Sequence, residues 1–451
     1  MDKMKWIDLM QPVRQKSGAS DHEDIRSAFE RDYDRIIFSG AFRRLQDKTQ
    51  VHPMPKYDFV HNRLTHSLEV SSVARSLGKK VGRTVVERSP DLADAGFTYH
   101  DLGAVVAAAA LAHDVGNPPF GHSGESGISD YFKSSPLRDK LLVHLSENEW
   151  ADLTNFEGNA QGFRILTQIN GGLRLTYPVL AAFTKYPHGS LFEKADETRK
   201  SHKKYGYFQS EATLFDEMAE QLKLLSYKGE RAVRMRHPLA FLVEAADDIC
   251  YSIIDLEDGH QLGLVSYQQT EELLEAILKE GFQPEKLRKM NGDAERVGVL
   301  RALAINKLVD ESAEIFLAHE SEILSGEFDT ALTDIIGSND TLQEITKISV
   351  NRIYRSHQVL QREAAGFEVL DGTMEAFTKA VYFSYHEPTQ ATSRHKNIIR
   401  LLPIEYQANL MSAETLYQRL LIITDFVSGM TDSAALNFFQ TIKGISLPGI
   451  R

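Results

Sequence analysis

The stretch that decides how this sequence folds is Ala104-Val-Val-Ala-Ala-Ala-Ala-Leu-Ala-His-Asp-Val-Gly-Asn-Pro-Pro-Phe-Gly-His-Ser-Gly-Glu125. Its run of small apolar residues predicts a buried helix, because alanine favours helices and its short side chain lets neighbouring helices pack closely. Asn117-Pro118-Pro119 is expected to end that helix, since proline lacks an amide donor and restricts the residue before it. The polar residues that follow should therefore lie at the exit of a buried helix, where a cation and a reactive water could be held.

Composition narrows the class of protein. The chain has 451 residues, 25% of them charged and 42% hydrophobic, which is typical of a globular protein. A formal charge of −12 argues against a protein that coats nucleic acid, although a local basic pocket remains compatible with it. The single cysteine, Cys250, excludes an internal disulfide framework and fits a reducing compartment. The N-terminus has no apolar signal core, and the alanine run is shorter than the roughly 20 residues of a membrane span. We therefore expect a cytoplasmic protein that does not enter the membrane.

The spacing of apolar residues predicts helices along most of the chain and few strands, so the predicted fold class is all-α. Ser20 and Glu23 have the spacing of a capping box. Residues 188–209 are rich in Lys, Ser, Gly and Tyr and are predicted to form a surface excursion. The predicted helices cover 32–46, 62–81, 100–113, 177–183, 210–226 and 237–262. The predicted divisions are an N-terminal helical segment over 1–60, a core over 61–267 and a C-terminal helical lobe over 268–451, although no change in composition marks the last boundary.

Four residues on three predicted helices are candidate metal ligands: His66, His113, Asp114 and Asp247. Imidazole and carboxylate together suit a divalent cation such as Mn, Fe, Ni, Mg or Zn. Taken singly, such residues are more often satisfied core or solvated surface groups. Asp247 stands out because an unpaired carboxylate is costly to bury in an apolar helix, although its neighbour Asp248 could be confused with it.

A resemblance to a known family unites these residues. His66, His113-Asp114 and Asp247 follow the H…HD…D signature of the HD phosphohydrolase superfamily. Longer segments resemble the deoxyguanosine-triphosphate triphosphohydrolase (dGTPase) family, and they are Asp32–Val51, Asn62–Val70, His113–His122 and Phe156–Arg164. The resemblance runs from about residue 20 to at least residue 365, and it implies an HD-domain helical core with an additional C-terminal lobe. It also implies that the chain hydrolyses a deoxynucleoside triphosphate, with dGTP favoured, to the nucleoside and intact triphosphate by breaking the bond between the α-phosphorus and the 5′-oxygen.

The same resemblance implies roles in the chemistry. The four candidate ligands would bind the metal, which would polarise the α-phosphate and help to generate the attacking hydroxide. His122 and Glu125, three residues apart, would share one face of a helix and form the proton-transfer dyad. Relatives with an N-terminal SAM domain carry His where this chain has Asn117. Asparagine can bond a phosphate or a metal-bound water but cannot relay a proton, so proton transfer is assigned to His122.

Residues for the substrate follow from the family motifs. Tyr251 and Asp255 lie four and eight residues after Asp247, and in a helix these three share one stripe. The resemblance implies that Tyr251 packs on the deoxyribose and leaves no room for a 2′-hydroxyl, and that Asp255 bonds the 3′-hydroxyl. The other residues expected at the substrate are Gln50 at the sugar, Arg63, Lys185 and Arg352 at the triphosphate, Asn159 and Tyr186 at the base, and Asn117 and Tyr354. The sequence contains no clear guanine reader.

Two other functions are weighed against this one. An HD-type phosphodiesterase or nucleotidase would keep the metal site but act on another nucleotide, and it would release no inorganic triphosphate. A nucleotide-sensing or single-stranded nucleic-acid-binding protein would retain the site without turnover. The family further implies a homohexamer and leaves open a single-stranded DNA or dNTP effector.

Overall fold

The protein is described by a computed structural model that covers residues 3–15, 25–51, 61–168, 172–192, 195–279, 287, 290 and 292–446. The predicted all-α class is confirmed, because the strands in this part of the chain form a single antiparallel pair in which Ser226 faces Arg234 and Tyr227 faces Glu230. No helix in the same residues is long and apolar enough to cross a membrane.

The elements follow one another with short connections. The first third contains α1 (Trp6–Leu9), α2 (Ala28–Ile37), α3 (Gly40–Arg44), a 3-10 turn (Leu45–Asp47), α4 (Arg63–Arg88), α5 (Pro90–Asp94) and α6 (Tyr99–Ala112). The middle contains α7 (His122–Ser134), α8 (Arg138–Leu142), α9 (Glu147–Thr154), α10 (Gly158–Thr167), α11 (Tyr177–Phe183), 3-10 turns (Lys200–His202 and Gln209–Glu211), α12 (Ala212–Gln221), β1 (Ser226–Tyr227), β2 (Glu230–Arg234), α13 (Pro238–Gln261) and α14 (Tyr267–Leu278). The last third contains α15 (Asp293–Ala318), α16 (Glu320–Ser325), a 3-10 turn (Leu332–Asp334), α17 (Asn339–Ile348), a π-helix (Ser349–Tyr354), α18 (His357–Tyr385), a 3-10 turn (Pro388–Gln390), α19 (Ser393–Arg400), α20 (Ile404–Ser412), α21 (Leu416–Ser428) and α22 (Asp432–Ile442).

The alanine-rich helix α6 is buried as predicted, and α4 and α13 pack against it. A Cβ on Gly78 of α4 would lie 2.9 Å from the Cα of Gly103, so small residues on both helices permit the close approach. The predicted end of α6 at residue 113 is confirmed to within one residue, but the prolines do not end the helix directly. The helix ends at Ala112, and a turn over 113–116 separates it from the prolines.

Three other predicted helices differ from the structure. The one predicted over 210–226 ends at Gln221, and Ser226 lies in β1. The predicted helix over 32–46 is divided, because the Ser39 hydroxyl accepts a hydrogen bond from the Phe42 amide and starts α3. Helix α4 continues past residue 81, since Gly82 packs closely against Tyr99 and does not end the helix. The predicted capping box at Ser20 and Glu23 lies outside the described residues. A capping box that starts α2 is formed by Ser27 and Glu30.

Residues 188–209 were wrongly predicted to be a surface excursion. Tyr205, Tyr207 and Phe208 are buried, because these aromatic side chains pack against neighbouring rings in the core. The first part of the segment is at the surface, where Leu191 is exposed, and the later part is buried and brings Lys204 to the cavity described below.

The buried apolar side chains form two clusters. One gathers residues from α1–α6, α10–α17 and the π-helix. The other joins α7–α10 to α18–α22. The loop between α6 and α7 connects an element of the first cluster to one of the second, so it lies where the two meet. The lobe boundary near residue 268 stays a prediction.

Candidate active site

A cavity of about 410 Å³ opens beside the exit of α6. The residues that line it come from the segment over 49–51, α4, the α6–α7 loop, the starts of α7 and α10, the segment after residue 184, α13, the π-helix and the first turns of α18. They include His66, His113, Asp114, His122, Glu125, Asp247, Gln50, Arg63, Asn117, Asn159, Lys185, Tyr186, Tyr251 and Tyr354, which were all predicted from the sequence. They also include Lys204, Phe120, Val359, Arg362 and Glu363, which were not.

Two histidines are held at helix ends facing this cavity. Asn62 caps the start of α4, which places His66 in its first turn. His113 follows the last residue of α6, and its Nδ1 lies 2.7 Å from the Ala110 carbonyl oxygen. A carbonyl can only accept, so Nδ1 of His113 carries the proton and Nε2 presents a lone pair to the cavity.

The Nε2 atoms of His66 and His113 lie close to the carboxylates of Asp114 and Asp247. Asp247 Oδ1 lies 3.2 Å from His66 Nε2 and 3.5 Å from His113 Nε2. Asp114 Oδ1 lies 3.6 Å from His113 Nε2. One ligand atom from each of His66, His113 and Asp114 lies within 4.8 Å of the others, a spacing that could hold a metal ion.

Asp247 and Asp248 are separated by their partners. Asp247 faces the two histidines, and its Oδ2 accepts a hydrogen bond of 2.7 Å from Lys185 Nζ. Asp248 points elsewhere and accepts a bond of 2.6 Å from the Thr333 hydroxyl. Burial raises the pKa of Asp248 to about 7, so this carboxyl takes up a proton as the pH falls through neutrality.

The electrostatics keep both cavity carboxylates ionised. Burial acts to raise the pKa of Asp114, but the Arg63 guanidinium and the two imidazoles outweigh it and hold this pKa below its usual value. The pKa of Asp247 lies well below its usual value, because Lys185 and the histidines outweigh the effect of burial. Asp114 Oδ2 is buried and has no hydrogen-bond partner among the described residues. Two imidazole nitrogens, two carboxylates and this unpaired oxygen fit a divalent cation.

His122 and Glu125 form a second polar pair at the start of α7. Their contact joins Nδ1 to Oε2 at 2.9 Å, and Glu125 Oε1 accepts a bond of 2.8 Å from the Gly158 amide. Burial acts to raise the pKa of Glu125, but its hydrogen bond with His122 and the charge of Lys204 hold this pKa below its usual value. The His122 side chain is 87% exposed, so its second nitrogen is open to a ligand in the cavity.

Two predicted phosphate-binding residues contact the carboxylates of the candidate metal ligands Asp114 and Asp247. Arg63 Nη1 lies 2.9 Å from Asp114 Oδ1, and Lys185 bonds Asp247. Two further cations reach the cavity from segments that the sequence did not indicate. Lys204 Nζ lies 3.0 Å from Glu157, and Arg362 Nη1 is buried without a hydrogen-bond partner among the described residues.

The predicted sugar-binding residues divide into two groups. Tyr251 and Gln50 line the cavity, and Gln50 Oε1 is buried with no partner in the described part of the chain. Asp255 does not line it. Its carboxylate accepts a hydrogen bond from the hydroxyl of Tyr354, which does line the cavity. The rings of Tyr251 and Tyr354 lie 5.6 Å apart.

Of the remaining predicted residues, Arg352 lies outside the cavity. It is exposed on the π-helix and donates a hydrogen bond of 2.8 Å to Gln269. Asn159 lines the cavity, and its side-chain amide donates a hydrogen bond of 2.7 Å to the Glu157 carboxylate. The roles assigned to these residues stay predictions.

Comparison with known proteins adds two findings. Residues 337–441 match the family model described as a phosphohydrolase-associated domain. A deoxyguanosinetriphosphate triphosphohydrolase-like protein of Synechocystis is 41% identical, with 98% of this chain and all of the relative covered. A protein of the same description from Pseudomonas aeruginosa is 38% identical over 99% of this chain and all of the relative. The deoxyguanosinetriphosphate triphosphohydrolase of Yersinia pseudotuberculosis is 29% identical over 98% of this chain and 99% of the relative.

Proposed function

This chain belongs to the deoxyguanosinetriphosphate triphosphohydrolase family, and on that premise we propose that it hydrolyses a deoxynucleoside triphosphate, with dGTP as the first candidate, to the deoxynucleoside and inorganic triphosphate. The family consists of nucleotide triphosphohydrolases. The choice of dGTP and the dependence on a metal are the parts of the proposal that need experiment.

The observation that carries the proposal is that the candidate metal ligands and the candidate proton-transfer pair line the same cavity. His66, His113, Asp114 and Asp247 converge at one side, and the His122–Glu125 pair lines the same cavity. Arg63, Lys185, Lys204 and Arg362 supply positive charge around them, which a triphosphate requires.

His66, His113, Asp114 and Asp247 would hold a divalent cation. When bound, such an ion supplies Lewis-acid polarisation of a phosphoryl oxygen and lowers the pKa of a coordinated water. The identity of the ion, among Mg, Mn, Ni, Fe and Zn, is open. Lys185 keeps Asp247 ionised and Arg63 keeps Asp114 ionised, so both carboxylates are ready to act as ligands at neutral pH.

His122 is assigned the proton transfer. Breaking the bond between the α-phosphorus and the 5′-oxygen requires a proton on the departing oxygen, and the exposed nitrogen of His122 is the group that can supply it. The Glu125 carboxylate fixes the orientation of the imidazole through Nδ1 and stabilises its protonated form. The Gly158 amide in turn fixes Glu125.

The sugar is assigned to the side of Tyr251. Packing of the deoxyribose on this ring would leave no room for a 2′-hydroxyl. Asp255 would bond the 3′-hydroxyl beside the Tyr354 hydroxyl, which bonds its Oδ2 and lines the cavity. The Gln50 amide oxygen, buried and unpaired among the described residues, is available to accept a hydrogen bond from the sugar. Asn159 and Tyr186 are assigned to the base, and Arg352 to the triphosphate.

Product analysis tests the proposal. The purified protein is incubated with each dNTP and NTP in Mg or Mn, and nucleoside, nucleotide and inorganic products are resolved by chromatography. We expect deoxynucleoside and inorganic triphosphate in equal amounts, no product from NTPs, and no turnover after chelation. Monophosphate with pyrophosphate, or release of orthophosphate, would point instead to another hydrolase with the same metal site. Tight nucleotide binding without any product would point to a sensing protein.

Assembly and regulation stay predictions. A homohexamer is expected from the family, and light scattering of the eluted protein tests it. An effector, whether single-stranded DNA or a second dNTP, would appear as a change in rate when it is added at saturating substrate.

A further inference from the structure

The connection between α21 and α22 touches the loop that carries His122. This connection lies within the phosphohydrolase-associated region at 337–441 and is distant in sequence from that loop. Asp432, the first residue of α22, is 3% exposed. Its Oδ1 accepts a hydrogen bond of 2.8 Å from the Phe120 amide, and its Oδ2 accepts one of 3.0 Å from the Thr49 amide. Arg362 of α18 donates to the same carboxylate.

Each of these partners belongs to the wall of the cavity. Phe120 is two residues before His122, Thr49 precedes Gln50, and Arg362 lines the cavity itself. One buried carboxylate therefore joins three segments that are distant in sequence and meet only at the site.

The loop needs such support because its backbone is strained. Phe120 has a φ of 64°, in the left-handed region that residues with a side chain rarely adopt. Gly121 follows with a φ of 61°, and a Cβ there would lie 3.0 Å from Arg63 Nη2. Backbone of this kind persists only where surrounding contacts determine it.

Two further contacts hold the same loop. A Cβ on Gly366 of α18 would lie 2.8 Å from the Phe120 Cβ, so the helix packs directly on this residue. At the other end of the loop, buried Lys48 donates to the Asn117 carbonyl at 2.5 Å and to the Ser428 carbonyl at 2.9 Å. The associated region thus contacts Phe120 directly, and Lys48 links its Ser428 carbonyl to the Asn117 carbonyl at the other end of the loop.

We propose that Asp432 is a positioning residue for the reaction. It fixes the Phe120–Gly121 backbone, and through it the place of His122, without touching the substrate. This inference rests on the proposed function for the identity of the reaction, but the positioning itself is independent of it. The role assigned to the associated region is to hold the catalytic loop in its strained conformation.

The test compares Asp432→Asn with Asp425→Asn. An amide has one acceptor oxygen, so it cannot satisfy the Phe120, Thr49 and Arg362 donors together. Asp425 is also a buried carboxylate of the associated region, but its partners Arg164 and Gln161 do not line the cavity. We expect Asp432→Asn to lower kcat about 100-fold, because a displacement of about 1 Å can cost that much. Metal content should stay unchanged, any rise in KM caused by the loss of the Arg362 contact should be smaller than the fall in kcat, and hydrogen exchange should accelerate at residues 49 and 120. Asp425→Asn should change none of these quantities beyond what its thermal stability explains.

Equal exchange at Phe120 in Asp432→Asn and the wild type would overturn the inference, as would a kcat no lower than that of Asp425→Asn. If the wild type releases no inorganic triphosphate from any dNTP, the proposed function fails, and the exchange rates alone decide the role of Asp432.

A second pair of variants applies if Asp432→Asn does not fold. Gly366→Ala adds a methyl group that would lie 2.8 Å from the Phe120 Cβ, so Phe120 would have to shift. Gly372→Ala on the same helix meets Phe439 at 2.6 Å, away from the cavity. We expect a selective loss of kcat and faster exchange at residue 120 in the first variant alone. Equal kcat values for the two would contradict the inference.

Discussion

Neighbouring carboxylates in α13 show how partners decide a residue's role. Asp247 meets two imidazoles and an ammonium group, whereas Asp248 meets the Thr333 hydroxyl. The apolar pattern of the helix singled out Asp247 as costly to bury, and the family motif assigned it as the ligand. The pattern alone could not exclude Asp248, because the two residues are adjacent on the same helix.

Metal content distinguishes the two residues. Asp247→Asn is expected to lose most of its bound metal, because it removes a charged ligand oxygen from the group. Asp248→Asn is the matched control and should retain the ion, since an amide can keep the bond to Thr333. Elemental analysis of the purified variants measures both. Full retention by Asp247→Asn would move the ligand assignment elsewhere.

His122→Ala tests the dyad. We expect kcat to fall by about 100- to 10,000-fold, the usual contribution of general acid–base catalysis, with nucleotide binding nearly unchanged. Turnover and equilibrium binding of a non-hydrolysable dNTP analogue are measured on the same preparation. Near-normal turnover would remove His122 from the chemistry.

Lys204→Met tests a cation that the sequence did not indicate. A charge-assisted contact to phosphate is worth about 1.5–3 kcal/mol, so KM should rise at least about tenfold while the fold is kept. Lys203→Met is the matched control, because its side chain is exposed and does not line the cavity. The same KM for both variants would mean that Lys204 serves only to pair Glu157.

At the scale of elements, close glycine contacts set the shape of the site. Helix α10 begins against the α6–α7 loop, and a Cβ on Gly158 would lie 2.4 Å from Asn117 Oδ1 and 2.7 Å from Glu125 Oε1. Nothing in the sequence indicated that the start of this helix supports Glu125. Such a contact depends on how two distant elements pack.

Gly158→Ala is expected to lower kcat by displacing Glu125, at a cost in stability of about 1–3 kcal/mol for overpacking. Gly298→Ala in α15 is the contrasting control, because a Cβ there meets nothing within 4 Å. That control should raise stability by about 0.5–1 kcal/mol through helix propensity and leave kcat unchanged. Thermal unfolding and turnover are measured together. A Gly158→Ala variant with full kcat would show that Glu125 tolerates displacement.

At the scale of the whole molecule, buried acids join the parts of the second apolar cluster. Asp152 of α9 accepts hydrogen bonds from Ser190, from the Gln209 amide and from Tyr417 of α21. It therefore joins the middle of the chain to the associated region. Burial raises the pKa of this carboxyl to about 6, above its usual value of 3.8.

The sign of the pH dependence follows from that shift. Between about pH 4 and pH 6 the folded protein holds a proton on Asp152 that the unfolded chain has lost, so the free energy of unfolding falls as pH rises through this window. The loss is about 3 kcal/mol when complete. Asp152→Asn cannot titrate and should lack it. Melting temperatures of both proteins are measured from pH 4 to pH 8. As the pH rises, the melting temperature of the wild type should fall relative to that of the variant. Parallel curves would contradict the assignment.

The sequence by itself determined the all-α class, the buried alanine helix and most of the polar residues that line the cavity. These follow from local periodicity and from long motifs, which depend on neighbouring residues in the chain. Helix ends were less well predicted, because the apolar pattern does not reveal contacts of single residues. Gly82 packs against a neighbouring helix and does not end α4, and Ser39 caps the start of α3.

Only the tertiary structure decided which distant segments complete the site. Lys204 and Arg362 line the cavity, and Asp432 contacts the α6–α7 loop at Phe120. Asp255 does not line the cavity and bonds Tyr354, which does. None of these placements is encoded in a local pattern, since each depends on contacts between residues far apart in the chain. The physical reason is that ionic contacts and close packing are properties of distance in space, whereas helix formation is largely a property of neighbours in sequence.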